Sequence, residues 1–208
     1  MNFFNKIYAW VLNNYIKLIT FLLFFGLLFG VYLYFYFLAQ KDDQDAGDIF
    51  LNYYDSYTSS DFDEQDYNSV LDSIFQINDD SIYLVMLKSL HAAELVENND
   101  LQEALKELLD AREILNTKNN DFNFLKEIID LRIVNLFIDL DDLEMAKSIL
   151  KKTFSIYQTN KLILQGDISA LEKKFDLAKQ NYLNALDRSE NETQKRLINL
   201  KISTLTDK

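Results

Sequence analysis

The longest apolar run of the chain lies near its N-terminus. Residues 18–38, LITFLLFFGLLFGVYLYFYFL, contain no charged side chain. At about 1.5 Å per residue, a helix of this length spans the roughly 30 Å hydrocarbon core of a bilayer. A cleaved signal peptide would have a shorter apolar core and a small-residue cleavage site, which the following YFYFLAQ does not offer. The run therefore predicts a transmembrane helix.

Beyond the span, apolar residues recur at the spacing of amphipathic helices, and small residues recur with them. Three segments align: AELVENNDLQEALKELLDA at 93–111, NLFIDLDDLEMAKSILKKT at 135–153, and DISALEKKFDLAKQNYLNA at 167–185. In each, a residue just before the segment is followed twelve positions later by Ala, then by a large residue, then by a small one. The repeat interval is 42 and then 32 residues. Such intervals are typical of arrays of helical hairpins.

The small residues have a steric explanation. Two antiparallel helices approach to about 8–10 Å only where the side chains at their crossing are small, and a large neighbour fills the groove beside it. One hairpin cannot bury its apolar face alone, so neighbouring hairpins must stack. We predict helix-packing roles for Ala92, Ala104, Ala111, Ala146, Gly166, Ala178, Tyr182 and Ala185.

Two flanking segments extend the array. GDIFLNYYDSYTSS and DEQDYNSVLDSIFQIN predict a divergent hairpin before the first repeat, and ETQKRLINLKISTL predicts a capping helix after the last. The fold class is therefore all-α, with one transmembrane helix followed by a solenoid of three to four hairpins. We place the boundaries at a cytoplasmic segment (1–17), the span (18–38), a linker (39–47) and the helical domain (48–208).

Composition removes most catalytic chemistry. The chain has no Cys, no Pro, four Gly and one His, so thiol catalysis, disulfides and Cys-ligated zinc are excluded. His91 lies at a packing position, and the chain has no second His with which it could bind a metal ion. We therefore predict a structural or surface role for His91. The acidic run IDLDDLE lacks the Gly and the later Glu of a calcium loop and predicts a turn between helices. We predict no enzyme activity and no catalytic, cofactor, metal or small-molecule site.

Charge sets the orientation and narrows the partners. Lys6 and Lys17 precede the span without any acid, whereas residues 41–87 hold 12 acids and one base. The positive-inside bias predicts a cytoplasmic N-terminus and an exported domain. The acidic excess disfavours nucleic acid as a partner. Two interpretations of the excess stay open: a solvated face, or docking against a basic patch on a partner.

Gly26 and Gly30 form a G-x-x-x-G pair inside the span. Such a pair lets another helix backbone approach closely, although glycine is also simply frequent in membrane helices. We assign the pair as a possible transmembrane packing site.

The repeats resemble the tetratricopeptide (TPR) pattern, and the third fits it best, although Lys173 replaces the usual turn Gly and no Pro closes the repeat. The whole chain resembles the YfgM-like ancillary subunits of the bacterial SecYEG translocon. The resemblance rests on YAWVLNNYIKLI, DIFLNYYDSY, DLRIVNLFIDLDDLEMAKSIL, QGDISALEKKFDLAKQNYLNAL and LINLKISTL, in this order across residues 8–205. It implies a single-pass inner-membrane protein with a periplasmic domain that contacts SecYEG and a membrane-anchored periplasmic chaperone.

Other functions share this architecture. An anchored scaffold for outer-membrane, cell-wall or cytochrome maturation machinery would need the same anchor and helical array. An exported hydrolase would need a cleft with convergent titratable groups, and the sequence has no such constellation. We therefore favour an interaction module, with the scaffold as the alternative.

Overall fold

The computed structural model of the protein describes residues 3–58, 67–118, 122–151 and 154–206. Within these ranges the chain forms helices and no strands. The helices are α1 (Phe3–Thr58), α2 (Tyr67–Ile77), α3 (Ile82–Glu97), α4 (Leu101–Thr117), α5 (Asn123–Asp139), α6 (Leu143–Leu150), α7 (Gln158–Leu171), α8 (Phe175–Arg188) and α9 (Glu192–Thr206).

Helix α1 is the one described helix that is long and apolar enough to cross a membrane. Nearly every side chain from Phe24 to Leu38 is exposed, as expected of a lipid-facing surface. The helix continues without a break through residues 39–47, which the sequence predicts as a linker. Ala46 is fully buried, and a Cβ on Gly47 would lie 2.8 Å from the Tyr83 ring on α3. The end of α1 is therefore already part of the packed array.

The side chains of Lys6 and Lys17, on which the orientation is predicted, lie outside the described residues. So does Thr153, the small residue that aligns with Ala111 and Ala185.

Successive helices pack as hairpins. The end of α1 pairs with α2, α3 with α4, α5 with α6 and α7 with α8, and α9 packs on α8. The predicted all-helical TPR-like solenoid with a terminal helix is confirmed. Its largest core cluster is built from α3 to α7 and includes Val85, Leu108, Ile133, Val134 and Leu150. On α9 the buried residue is Ile198, whereas Leu197 and Leu200 are exposed.

The three turns inside the repeats have the same hydrogen-bond pattern. Asn99, Asp141 and Lys173 adopt left-handed backbone angles, with φ of 62°, 60° and 61°. In each turn the next residue donates its N–H over 2.8 Å to a carbonyl five residues earlier, which is the Schellman ending of a helix. The turn predicted at IDLDDLE is the second of these. The missing turn Gly at Lys173 therefore leaves the turn geometry unchanged.

Unequal helix lengths explain the unequal repeat interval. Helix α4 has 17 residues, whereas α6, its counterpart in the next hairpin, has eight. Most of the shortening between the first and second intervals therefore falls in α6. The chain then turns through residues 154–157 into α7.

Candidate functional site

The residues predicted from small-residue spacing all lie inside the helical array. Ala104, Ala111, Ala146, Ala178 and Ala185 have no exposed surface, and Ala92, Gly166 and Tyr182 are buried as well. They contribute to the packing beneath the surfaces and supply no groups for chemistry.

The tightest of these packing contacts joins Gly166 on α7 to Tyr182 on α8. A Cβ placed on Gly166 would lie 2.3 Å from a ring carbon of Tyr182, far inside van der Waals contact. The Tyr182 hydroxyl donates to Asp167 Oδ1 over 2.7 Å, and Lys201 on α9 pairs with the same oxygen at 2.6 Å. Burial, followed by the Asp167 hydrogen bond, raises the pKa of Tyr182. Glycine is therefore needed here so that a hydrogen-bonded tyrosine can lie across the helix crossing.

Gly26 and Gly30 are exposed, and a Cβ at either position would meet no atom within 4 Å. This face of α1 is thus open in the isolated chain. Its role as a packing site for another membrane helix stays a prediction.

His91 lies in a buried polar cluster. Its ring stacks on Tyr67 with centroids 3.7 Å apart, and its Nδ1 lies 3.6 Å from Glu107 Oε1. Glu107 also accepts hydrogen bonds from the Tyr67 hydroxyl at 2.9 Å and from Lys88 at 3.0 Å. Burial, then the Glu107 charge, raises the pKa of Tyr67. The cluster ties α2, α3 and α4 together, which fits a structural role for His91.

Glu127 forms a second polar tie, which the sequence analysis missed. This buried α5 side chain accepts hydrogen bonds from the N–H groups of Ser155, Ile156 and Tyr157 at 2.7, 2.9 and 2.9 Å, and from the Ser155 hydroxyl at 2.8 Å. Burial alone would raise the pKa of Glu127, but these donors together hold it below its ordinary value. A partner 28 residues away leaves no periodic signal in the sequence.

Arg112 and Asp130 join α4 to α5 as a largely buried ion pair, 2.5 Å apart. Burial raises the pKa of Asp130, and the Arg112 charge opposes this effect. Among the described residues, no group of three or more acids or histidines is arranged to hold a metal ion.

A largely apolar groove runs across α1, α3 and α5. It consists of two cavities of about 330 and 350 Å³ that share Ser89, Ala93 and Arg132. The first is lined by Phe50, Tyr54, Met86, Leu90, Leu125, Ile128 and Ile129 besides the shared residues. The second adds Ala92, Val96, Glu97, Leu108, Asn135, Leu136 and Asp139. We call this continuous surface the α1–α3–α5 groove.

Its apolar walls are accessible to a partner. Tyr54, Met86 and Val96 expose 44%, 41% and 42% of their surface. Arg132 is the only cation among the lining residues of both cavities. The groove thus combines partly exposed apolar walls with three charged side chains, those of Arg132, Glu97 and Asp139.

A further cavity, lined by residues of α2, α3 and α4, has a different character. It measures about 420 Å³ and combines Leu71, Phe75 and Ile114 with four carboxylates. These belong to Asp72, Asp79, Asp110 and Glu113. Part of the acidic excess after the span therefore lines this cavity, which shares no residue with the α1–α3–α5 groove.

Comparison with known families gives one finding. The profile described as tetratricopeptide repeat-like domain matches residues 9–207, nearly the whole chain. No significant match was found among curated proteins or among solved structures.

Proposed function

Because the chain belongs to the tetratricopeptide repeat-like domain family, we propose that it is a membrane-anchored module that binds polypeptide segments in its α1–α3–α5 groove. Repeat domains of this kind are generally protein-interaction modules and not enzymes. The single observation that carries the proposal is the continuity of α1, which supplies both the apolar span and, with Phe50 and Tyr54, one wall of the groove.

If α1 spans the membrane as proposed, its continuity keeps the groove close to the bilayer surface. Phe50 follows Leu38, the end of the predicted span, by twelve residues, which is about 18 Å along a helix. Packing of Gly47 against Tyr83 holds the array on this extension. A segment leaving the membrane beside α1 would therefore reach the groove within a few residues.

We propose further that the N-terminus is cytoplasmic and the array periplasmic, at the bacterial inner membrane. The Lys6 and Lys17 bias and the resemblance to YfgM-like subunits support this orientation. The same resemblance supports SecYEG and a membrane-anchored periplasmic chaperone as neighbours, with emerging polypeptides as clients.

Orientation is tested by single-cysteine labelling, for which the native chain is suited because it has no Cys. Asn2→Cys and the exposed Glu190→Cys are compared using a membrane-impermeant maleimide in cells with a permeabilised outer membrane. We expect labelling at Glu190→Cys alone. Labelling at Asn2→Cys alone would invert the topology.

Partner binding is tested with a photo-crosslinking amino acid at Tyr54, followed by affinity purification from gently solubilised membranes. We expect translocon and chaperone subunits to be captured. Met86→Glu places a charge in the groove wall and should reduce capture severalfold. Leu109→Glu, at a similarly exposed Leu on α4, is the matched control and should not.

The alternative is a scaffold for another envelope assembly pathway. It would be favoured if Tyr54 crosslinks outer-membrane, cell-wall or cytochrome maturation components in place of translocon subunits. If Met86→Glu and Leu109→Glu had equal effects, the groove itself would be the wrong surface.

A further inference from the structure

The α1–α3–α5 groove has an exposed cation at its centre. Arg132 lines both cavities, and it forms no hydrogen bond or ion pair with any residue in the described ranges. The other arginine of the mid-array, Arg112, is by contrast held by Asp130 at 2.5 Å. A guanidinium in an apolar groove without a partner carbonyl or carboxylate has donors to offer to a ligand.

The repeat shows that folding does not require a cation there. Counting from the small-residue position of each hairpin, Arg132 is equivalent to Leu90 on α3 and to Leu164 on α7. Leu164 is buried and Leu90 is half-buried, each in an apolar cluster. Leucine therefore packs at this position in two of the three repeats, one of them beside the groove, and arginine stands there on α5 alone.

Charge along the groove is ordered. On one side of Arg132 the α5 wall is apolar, with Ile128 one turn away, and Met86 and Leu90 face it from α3. On the other side Asp139 follows seven residues later, about 10 Å along the helix, with Glu97 on α3 in the same cavity. A bound segment therefore meets apolar walls, then a cation, then two carboxylates.

We propose that the α1–α3–α5 groove selects extended polypeptide segments in which an apolar stretch is followed by an Asp or Glu side chain and, about three residues on, by Lys or Arg. The inference rests on the proposed function and specifies its ligand. Apolar side chains fill the half beside Tyr54 and Met86, and the carboxylate pairs with Arg132 in bidentate geometry. The spacing follows because about 10 Å equals three residues of extended chain, so the base reaches Glu97 and Asp139.

The test uses the full chain in lipid nanodiscs and fluorescein-labelled, C-terminally amidated peptides, with empty nanodiscs as the background. Probe one reads Leu-Phe-Leu-Glu-Ser-Ser-Lys, probe two has Gln for Glu, and probe three exchanges Glu and Lys. Each is made in both chain directions, because the groove sets the order of charges and not the polarity of the peptide. A further probe, Leu-Phe-Leu with a free C-terminal carboxylate, tests whether the carboxylate of a chain terminus pairs with Arg132 in place of an Asp or Glu side chain.

Fluorescence anisotropy should show probe one, in one direction, binding about tenfold more tightly than probes two and three. Arg132→Leu installs the residue of the equivalent repeat positions, so it should fold normally and bind probes one and two equally. Arg132→Lys should retain part of the preference, because it keeps the charge and loses the bidentate fork.

The outcomes separate this inference from the proposed function. Equal binding of probes one and two to the wild-type chain, with loss of both in Met86→Glu, would overturn the charge selectivity and leave the groove function intact. Stronger binding of the free-carboxylate probe would also overturn it, in favour of chain termini. Failure of every probe to bind would overturn both.

Discussion

The α3/α4 and α7/α8 hairpins have the same turn and the same crossing position but different residues at each. At the crossing the first hairpin has Ala92 and Leu108, whereas the second has Gly166 and Tyr182. The turn of the first is Asn99-Asp100, and that of the second is Lys173-Lys174, yet both have φ near 60° and a 2.8 Å closing hydrogen bond.

The two hairpins also begin differently. Helix α3 is capped by its own Ser81, whose hydroxyl accepts from the Tyr83 N–H at 3.2 Å. Helix α7 has no side-chain cap of its own, and Glu127 from α5 accepts the N–H groups that lead into it.

The difference teaches that the backbone geometry of a repeat depends on the combined volume of the side chains at the crossing and on whether the helix start is capped, and not on which single residue provides each. A small residue may lose a methyl group if its partner gains a ring, and a helix start may be satisfied locally or from a distance. In the α7/α8 hairpin, both the crossing and the helix start depend on a side chain from a different helix. It should therefore be the more sensitive of the two to substitution.

The largest effect is expected from overpacking the crossing. Gly166→Leu should lower the free energy of unfolding by about 3 kcal/mol and Ala178→Leu by about 2, because neither site has room for the added carbons. Denaturant unfolding of the full chain in detergent, followed by circular dichroism, measures this loss.

Gly30→Leu is the matched control, since a side chain there meets no atom within 4 Å. It should leave the unfolding midpoint of the array unchanged. An unchanged midpoint in both Gly166→Leu and Ala178→Leu would refute the crossing assignment.

The next effect concerns the cap that Glu127 on α5 supplies to the start of α7. Glu127→Gln should cost about 2 kcal/mol at neutral pH, because it removes a charge that accepts several hydrogen bonds. The folded pKa of Glu127 lies below the ordinary 4.5, so its contribution is fully present above that value and is lost as pH falls through the folded pKa.

Unfolding midpoints measured from pH 7 downwards check this contribution. The wild-type chain should lose its advantage over Glu127→Gln in the acid range below 4.5. The exposed Glu190→Gln is the control and should track the wild type throughout. A constant difference between Glu127→Gln and the wild type at all pH values would contradict the linkage.

A double-mutant cycle converts the crossing of one hairpin into that of the other. Gly166→Ala should destabilise in the presence of Tyr182 and be tolerated with Tyr182→Leu, which recreates the Ala92 and Leu108 pair. We expect a favourable coupling of about 1–2 kcal/mol from unfolding of the four chains. If the changes in the free energy of unfolding were strictly additive, the side chains at residues 166 and 182 would not compete for the same space.

The smallest effect is expected at the turns. Lys173→Gly should stabilise the chain by about 0.5–1 kcal/mol, because lysine has a Cβ that disfavours left-handed angles. Asn99→Gly should give less, since asparagine tolerates this region. Thermal unfolding compares the two, and an equal gain at both turns would contradict a residue-specific cost.

Several features of the fold were predictable from the sequence because they repeat or run locally. The span follows from an unbroken apolar run, and Gly166, Ala178 and Ala185 follow from a period that only helix crossings explain. The predicted linker at 39–47 differs from the structure, where the helix continues because Ala46 and Gly47 pack against the array.

The candidate site was not predictable in the same way. Arg132 and Glu127 are ordinary charged residues in a helix sequence, and nothing local separates the exposed arginine from the buried glutamate. Their roles depend on which helices stand opposite, and these come from 28 or more residues away for Glu127.

The sequence by itself thus determined the apolar run that is long enough to cross a membrane, the helices and the small positions where they cross, since hydrophobic periodicity and side-chain volume act within a few turns. Only the tertiary structure decided that α1 runs unbroken from the apolar run into the array, that Glu127 caps α7, and that Arg132 lies in a groove without an ion-pair partner among the described residues. These features depend on the distance between side chains far apart in the chain, and packing alone sets that distance.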